Sequence, residues 1–161
     1  MTDTQKQKEM KEEVHIILAK SYLVYFVGLV AGLLLNIIFP LNIMPQSIGE
    51  SFGLFFLFSA PILIVWAQKT SMKFSSEKKQ GSMAINFLRG PYAFTRSPTH
   101  VGLAFLLMGF GFLVNSVFII IFSIISFFIT RLVFIKKEEY FLAQKYGEEY
   151  ESYKKSVKNW I

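Results

Sequence analysis

Long apolar runs separated by polar segments dominate the chain and predict membrane-spanning helices. The first run, residues 21–39, would span roughly 28 Å at ~1.5 Å per residue, close to the hydrocarbon thickness of a bilayer. A second run covers residues 48–67. Residues 101–135 are too long for one ordinary span, and the polar pair Asn115-Ser116 interrupts them near the middle. This pair is therefore predicted to form the turn of a helical hairpin.

The start of the third predicted span is fixed by proline chemistry. Ser97 precedes Pro98, and a residue before proline is disfavoured in helical geometry. Proline itself is well tolerated in the first turn of a helix, so the span should begin at about Pro98. The pattern then predicts an all-α, polytopic membrane protein with a single domain and four spans. Its segments are an interfacial N-terminus at 1–20, spans at 21–39 and 48–67, a connection at 68–97, spans at 98–114 and 117–135, and a C-terminal tail at 136–161.

The C-terminal tail is polar overall but carries a regular apolar stripe. Its members recur at spacings of three or four residues, which is the pattern of an amphipathic helix. Gly147 interrupts the pattern and is expected to divide the tail into two short helices. The stripe must rest on the membrane surface or on the ends of the spans. It consists of Leu142, Tyr146, Tyr150, Tyr153 and Val157.

Composition supports the membrane class and excludes several kinds of chemistry. The chain is 53% hydrophobic with 18 Phe, and its mean hydropathy is +0.43. These values are too apolar for a soluble domain of this size. Cysteine is absent, which excludes disulfides and thiolate nucleophiles. Only two His are present and they are far apart, so no metal centre is expected.

The distribution of basic residues predicts orientation in the membrane. All 17 Lys and Arg lie in residues 1–20, 68–97 or 131–161, and none lies in the two remaining loops. The positive-inside rule therefore places both termini and the 68–97 connection in the cytoplasm. Orientation and contact with anionic headgroups account for the net charge of +6. No basic and aromatic pattern of a nucleic-acid module is present, so no nucleic-acid partner is expected.

Candidate chemistry is concentrated at one entrance and one exit of the hairpin. The stretch 90–102 places Arg96 and His100 among prolines at the mouth of the third span. Glu138 and Glu139 follow the fourth span. A guanidinium can bind a carboxylate bidentately, so Arg96 is a candidate partner for a ligand carboxylate or for one of these glutamates. Adjacent residues on a helix point about 100° apart, so the two glutamates cannot face the same atom.

These residues carry a resemblance to a known group of enzymes. The chain contains Gly90-Pro91-Tyr92 and then Arg96-Ser97-Pro98-Thr99-His100-Val101-Gly102. This pattern resembles the G-P-Y…R-H-P-x-Y-x-G motif of the isoprenylcysteine carboxyl methyltransferases and phospholipid methyltransferases. Residues from Glu138-Glu139 to the end resemble the C-terminal half of that group. Two positions depart from the motif, because Ser97 replaces a His and His100 replaces a Tyr.

The resemblance implies an integral membrane methyltransferase that uses S-adenosylmethionine and releases S-adenosylhomocysteine. It implies a lipophilic acceptor from the bilayer, either an isoprenylcysteine-type carboxylate or a lipid amine. A carboxylate needs no base, whereas an amine must be neutral and could give its proton to His100 or a glutamate. Arg96 and Glu139 are the expected catalytic residues. The expected cofactor-binding residues are Tyr92, Arg96, Pro98, His100, Gly102, Glu138 and Glu139.

Two alternatives to a methyltransferase remain open at the level of sequence. Membrane reductases of the sterol and steroid type have a similar C-terminal region and use NADPH. The acidic pair Glu138-Glu139 and the lack of an extra basic cluster for a 2′-phosphate argue against that class. The second alternative is an inactive membrane homologue or adaptor, which the departures at Ser97 and His100 make credible. The acceptor and the oligomeric state are left open.

Overall fold

The computed structural model describes residues 3–79 and 86–157, with side chains described from residue 16 onward except at 78 and 79. Within these ranges every regular element is helical, which confirms the all-α prediction. Two short segments of other helical geometry, a 3₁₀ turn at Gly90–Ala93 and a π-helical segment at Thr130–Ile135, join the longer elements. The α-helices are α1 (Asp3–Ile38), α2 (Gln46–Lys79), α3 (Pro98–Leu113), α4 (Val117–Ile129), α5 (Lys136–Tyr146) and α6 (Glu148–Ser156).

Three helical segments are long and apolar enough to cross a membrane. They are Ile16–Ile38 in α1, Gln46–Glu77 in α2, and the continuous helical stretch Val117–Tyr146. The third apolar helix, α3, has 16 residues, whereas a perpendicular span needs about 20. The chain is therefore a helical membrane protein, and the count of four spans stays a prediction.

Helix α2 continues well beyond the predicted end of the second span at residue 67. It reaches Lys79, so about the first dozen residues of the predicted 68–97 connection are helical. Two contacts explain the extension: the Thr70 hydroxyl donates to the Trp66 carbonyl at 2.9 Å, and Phe74 is buried in an aromatic cluster. Neither Gly nor Pro interrupts residues 62–80. The apolar pattern therefore predicted a membrane span at 48–67 but did not predict that the helix continues beyond it.

The spans pack through small residues that let backbones approach closely. A side chain at Gly32 of α1 would lie 2.9 Å from Ile119 Cα of α4, and one at Gly109 of α3 would lie 2.9 Å from Leu57 N of α2. The Ser123 hydroxyl on α4 donates to the Ala104 carbonyl on α3 at 3.2 Å. Close packing of this kind replaces the hydrophobic driving force that helices lack in lipid.

The turn between α3 and α4 is made at Asn115, which adopts a positive φ of 54°. The Asn115 side chain also holds the loop that joins α1 to α2. Its Oδ1 accepts from the backbone N–H groups of Ile43 at 3.0 Å and Met44 at 3.2 Å, and its Nδ2 donates to the Met44 carbonyl at 2.7 Å. The two short loops therefore lie together at one end of the molecule.

Candidate active site

The motif loop, residues 90–97, packs against α2 before the chain enters α3. Gly90 has φ +57°, and a side chain there would lie 2.9 Å from Thr70 Oγ1 and 3.0 Å from Trp66 Nε1. Positive φ and a close approach both favour glycine. Ser97 is the N-cap of α3, and Pro98 occupies the first helical position. This rigid backbone fixes where Arg96 and His100 emerge.

Arg96 reaches from the motif loop to α5. Its Nη1 lies 3.0 Å from Glu139 Oε1, and the two side chains are only 14% and 15% exposed. Arg96 Nε is buried and has no hydrogen-bond partner among the described residues. Buried donors are normally satisfied, so this nitrogen marks a place where a ligand acceptor would be stabilised.

His100 and Glu138 form a second, looser pair beside the first. His100 Nδ1 lies 4.0 Å from Glu138 Oε2, which is too long for a hydrogen bond. The imidazole is buried, and its Nε2 has no partner among the described residues. Because the two glutamates are adjacent on α5, one faces Arg96 and the other faces His100. This arrangement agrees with the expectation that adjacent residues on a helix cannot face the same atom.

An aromatic cluster closes the side of the site that faces away from the spans. Phe87 lies at its centre, with ring centroids 5.0 Å from Tyr146, 5.7 Å from Tyr150 and 5.4 Å from Tyr153. The Tyr153 hydroxyl donates to the Tyr92 carbonyl at 2.8 Å and ties α6 to the motif loop. The apolar stripe of the tail therefore packs on the ends of the helices.

The tyrosines of this cluster are neutral at physiological pH. Burial, and secondarily the negative charge of Glu138, raises the pKa of Tyr92 to about 12. Burial likewise raises the pKa of Tyr150 and of Tyr153. These residues therefore offer hydroxyl donors and ring faces, which suit an uncharged planar group or a cation.

A small cavity lies between the motif loop, α5 and the aromatic cluster. Its volume is about 70 Å³, and the sequence-predicted residues that line it are Tyr92, Arg96, Pro98, His100 and Glu138. Glu139 is reached through its pair with Arg96. The volume corresponds to only a few waters at ~30 Å³ each, whereas ligand pockets measure roughly 300–1,000 Å³. A larger ligand therefore requires the walls to move apart.

Gly102 is the predicted site residue that the structure does not bring to this cavity. It lies on the side of α3 that packs against α2, where a side chain would meet Ile64 Cγ1 at 2.5 Å. In this structure Gly102 therefore serves helix packing, and its assignment to cofactor binding stays a prediction. At about 100° per residue, the two residues from His100 to Gly102 turn through about 200°, so the two positions lie on nearly opposite sides of α3.

Nine further residues line the cavity and were not predicted as site residues: Ser71, Phe74, Phe87, Ser97, Thr99, Leu142, Tyr146, Tyr150 and Tyr153. Two of them come from the part of α2 that was assigned to the connection. Phe87 belongs to an apolar patch inside an otherwise polar segment, and that patch was the available signal. The described residues contain no group of His, Asp or Glu arranged to hold a metal ion.

Fold and site together define a helical membrane protein with a polar, aromatic-lined site at one end of its apolar helices. A family model described as phospholipid methyltransferase matches residues 51–149. This match covers more than half of the chain, so the chain belongs to the phospholipid methyltransferase family, and the resemblance of its motifs is confirmed. No match was found among curated proteins or among solved structures. Membership implies methyltransferase chemistry on a lipid-type substrate, with S-adenosylmethionine as the family's general methyl donor.

Proposed function

We propose that the chain transfers a methyl group from S-adenosylmethionine to a lipophilic acceptor at the cytoplasmic face of the membrane. The observation that carries this proposal is the joining of Arg96 and His100 with Glu138 and Glu139 around one aromatic-lined cavity. Family membership favours this function over an NADPH-dependent reductase.

The donor set of the cavity fits S-adenosylmethionine by chemistry. Arg96 has a buried Nε without a partner among the described residues, and this N–H would donate to the cofactor carboxylate, while Glu139 holds the guanidinium in place. Glu138 would bind the cofactor's ammonium or ribose hydroxyls, and His100 would donate a hydrogen bond from Nε2. The ring faces of the tyrosine cluster suit the adenine or the sulfonium.

When bound, S-adenosylmethionine would supply an electrophilic methyl group, and S-adenosylhomocysteine would leave as the acceptor's nucleophile takes that group. The contribution of the protein is then mainly to fix the reactants in position, which can lower a barrier by as much as ~7–11 kcal/mol. The rigid backbone from Ser97 to Pro98 and the Arg96–Glu139 pair serve this purpose, because both restrict motion at the cavity wall.

Binding requires the cavity to enlarge, and the tail provides the movable wall. Helix α6 contributes Tyr150 and Tyr153 to the cavity. It joins α5 at Gly147, which has φ +65° and no atom within 4 Å of the position that a Cβ would occupy. We propose that α6 swings about Gly147 to admit the cofactor and then closes over it.

A lipid amine is the acceptor that we favour. Attack by an amine requires loss of a proton, and both Glu138 and His100 line the cavity where a proton could be accepted. An isoprenylcysteine carboxylate would not need either residue as a base. With an amine acceptor, Glu138 or His100 therefore serves as the base, and the reaction on a carboxylate does not require that role.

The orientation proposed is the one that the basic residues predict, with four spans and both termini in the cytoplasm. In this arrangement α3 crosses the membrane as a short span, and the loop at Asn115 lies on the opposite side from the cavity. The lipophilic acceptor then enters laterally from the bilayer, while the cofactor enters from the cytoplasm.

The test is methyl transfer in membranes that contain the full chain, using S-adenosylmethionine labelled in its methyl group. Label is expected in the lipid extract, and at least tenfold less with Glu138→Gln. The matched control is Glu151→Gln, which alters an exposed glutamate paired with Lys154 and should leave transfer unchanged. Absence of labelled lipid, together with absence of S-adenosylhomocysteine binding to the purified protein, would refute the proposal.

Alkaline hydrolysis of the labelled product separates the two acceptors. A methyl ester formed on a carboxylate releases volatile labelled methanol in base, whereas an N-methyl group stays bonded to nitrogen and its label stays in the non-volatile fraction. Retention of the label is the expected result. Release as methanol would replace the amine with a carboxylate acceptor and leave the methyltransferase assignment intact.

A further inference from the structure

A second and larger cavity lies on the other side of α5. It is an open groove of about 620 Å³ between the start of the apolar part of α1 and the first two turns of α5. Its lining combines three lysines with apolar side chains. The lining includes Lys20, Lys136, Lys137, Ile16, Ile17 and Phe141.

The groove and the candidate active site use opposite faces of one helix. Glu138 and Leu142 of α5 line the small cavity, whereas Lys136, Lys137 and Phe141 line the groove. At about 100° per residue these two sets point in nearly opposite directions. The groove is therefore a separate site, and nothing in the methyl-transfer proposal uses it.

The three lysines make the groove strongly cationic. All three side chains belong to exposed residues. Every ion pair found among the described residues involves other groups, so the described part of the chain supplies no counter-charge to these ammonium groups. An anion bound in the groove would therefore meet three donors that are free to turn toward it.

The apolar part of the lining identifies the kind of anion. Ile17 and Phe141 are covered by neighbouring residues to a greater degree than the lysines, and Ile16 extends the apolar surface along α1. A small hydrophilic anion would gain nothing from such a surface. An amphiphile would place its chain against the isoleucines and the phenylalanine and its charge among the ammonium groups.

The position of the groove along the helices agrees with the depth of a lipid headgroup. The apolar segment of α1 begins at Ile16, and Lys20 lies about one turn inside it. Lys136 and Lys137 directly follow the apolar stretch of α4 and the π-helical segment. Lysines at such boundaries extend their charge toward the headgroup region while their stems stay in apolar surroundings.

We propose that this groove binds one anionic phospholipid, with its phosphate among Lys20, Lys136 and Lys137 and an acyl chain against the apolar lining. The bound lipid joins α1 to α5 at the membrane boundary. Helix α5 thereby has a lipid on one side and the candidate active site on the other. The proposal concerns binding alone and does not depend on methyl transfer.

The test is native mass spectrometry of the full chain in a neutral detergent, with phosphatidylglycerol or phosphatidylcholine of identical acyl chains added. The protein is expected to retain one phosphatidylglycerol and to prefer it over phosphatidylcholine. The triple variant Lys20→Gln, Lys136→Gln, Lys137→Gln should bind it roughly tenfold to a hundredfold more weakly, since each lysine contributes to attraction for anionic lipid.

A matched triple variant controls for total charge. Lys69→Gln, Lys73→Gln and Lys155→Gln remove the same charge from exposed positions outside the groove and should leave binding unchanged. Thermal unfolding of both triples verifies that each is folded. Equal weakening by the two triples, equal retention of both lipids, or displacement of the lipid by millimolar inorganic phosphate would each overturn the proposal.

Discussion

At the scale of single residues, two arginine–glutamate pairs differ in environment. Arg96 and Glu139 are 14% and 15% exposed, whereas Arg89 and Glu77 are 50% and 27% exposed. Breaking a buried pair leaves an uncompensated charge in a poorly solvated place, while an exposed pair contributes little. The pair at the cavity therefore matters for both stability and ligand binding.

We expect Arg96→Ala to lower the free energy of unfolding by about 3 kcal/mol and to weaken S-adenosylhomocysteine binding at least tenfold. The reason is that Glu139 loses its ion pair with Arg96 and the ligand carboxylate loses its donor. Thermal unfolding and calorimetry in detergent measure the two effects. The control Arg89→Ala should cost less than about 1 kcal/mol, and equal effects of the two variants would contradict the distinction.

At the scale of elements, the tail helix α6 is held by its aromatic stripe and by one directed hydrogen bond. Tyr150 and Tyr153 are buried against Phe87, and the Tyr153 hydroxyl bonds to the Tyr92 carbonyl. This bond crosses from the tail to the motif loop, so it couples the closure of the cavity to the position of the loop.

Tyr153→Phe should loosen α6 without disturbing the spans. Removal of the hydroxyl leaves the Tyr92 carbonyl without this donor, at a cost of about 0.5–1.5 kcal/mol. Hydrogen exchange followed by mass spectrometry should show faster exchange in Glu148–Ser156 and unchanged exchange in α3. Tyr140→Phe is the control, because Tyr140 is 61% exposed. Equally fast exchange of Glu148–Ser156 in this control variant would argue against a specific closure.

The packing of α3 on α2 predicts the behaviour of a second variant. Gly102→Ala places a methyl group 2.5 Å from Ile64 Cγ1, and overpacking of this kind costs about 1–3 kcal/mol. Because Gly102 lies outside the cavity, the folded variant should keep its affinity for S-adenosylhomocysteine.

Adding Ile64→Ala to Gly102→Ala should recover part of the lost stability, since the clashing atom is removed. A double-mutant cycle on unfolding free energies measures this coupling. A Gly102→Ala variant that is fully stable but has lost ligand binding would return Gly102 to the cofactor site.

At the scale of the whole molecule, the chemistry and the short loops occupy opposite ends. Asn115 gathers the two short loops at one end. The motif loop, α5 and α6 form the other end, where the basic residues are concentrated. The two ends of the molecule therefore differ in charge, as the distribution of basic residues along the sequence predicts.

The absence of cysteine allows a direct test of orientation. Ser47→Cys, at the start of α2, should react with a membrane-impermeant maleimide applied to intact cells, whereas Ser152→Cys on α6 should react only after the membrane is opened. Both serines are exposed and lie at opposite ends. Reaction of both residues from the same side would contradict the proposed arrangement of spans.

Local chemistry determined a large part of this architecture. Apolar run lengths predicted helices, and the proline at residue 98 fixed the start of α3 because its ring restricts the backbone wherever the chain goes. Gly147 separates α5 from α6 for a similar local reason. The motif residues and the acidic pair were also recognisable, because their spacing along the chain carries the resemblance to the family.

Other features depended on contacts between segments that are distant in sequence. The continuation of α2 beyond residue 67 was not predicted, because Phe74 is buried by Phe87 and the tail tyrosines, which are distant from it in sequence. The position of Gly102 against α2 was likewise not predicted, because sequence order does not state which side of α3 meets α2. Spacing along a chain fixes which residues share a helix, whereas only the packing of one helix on another decides which of its faces encloses a site.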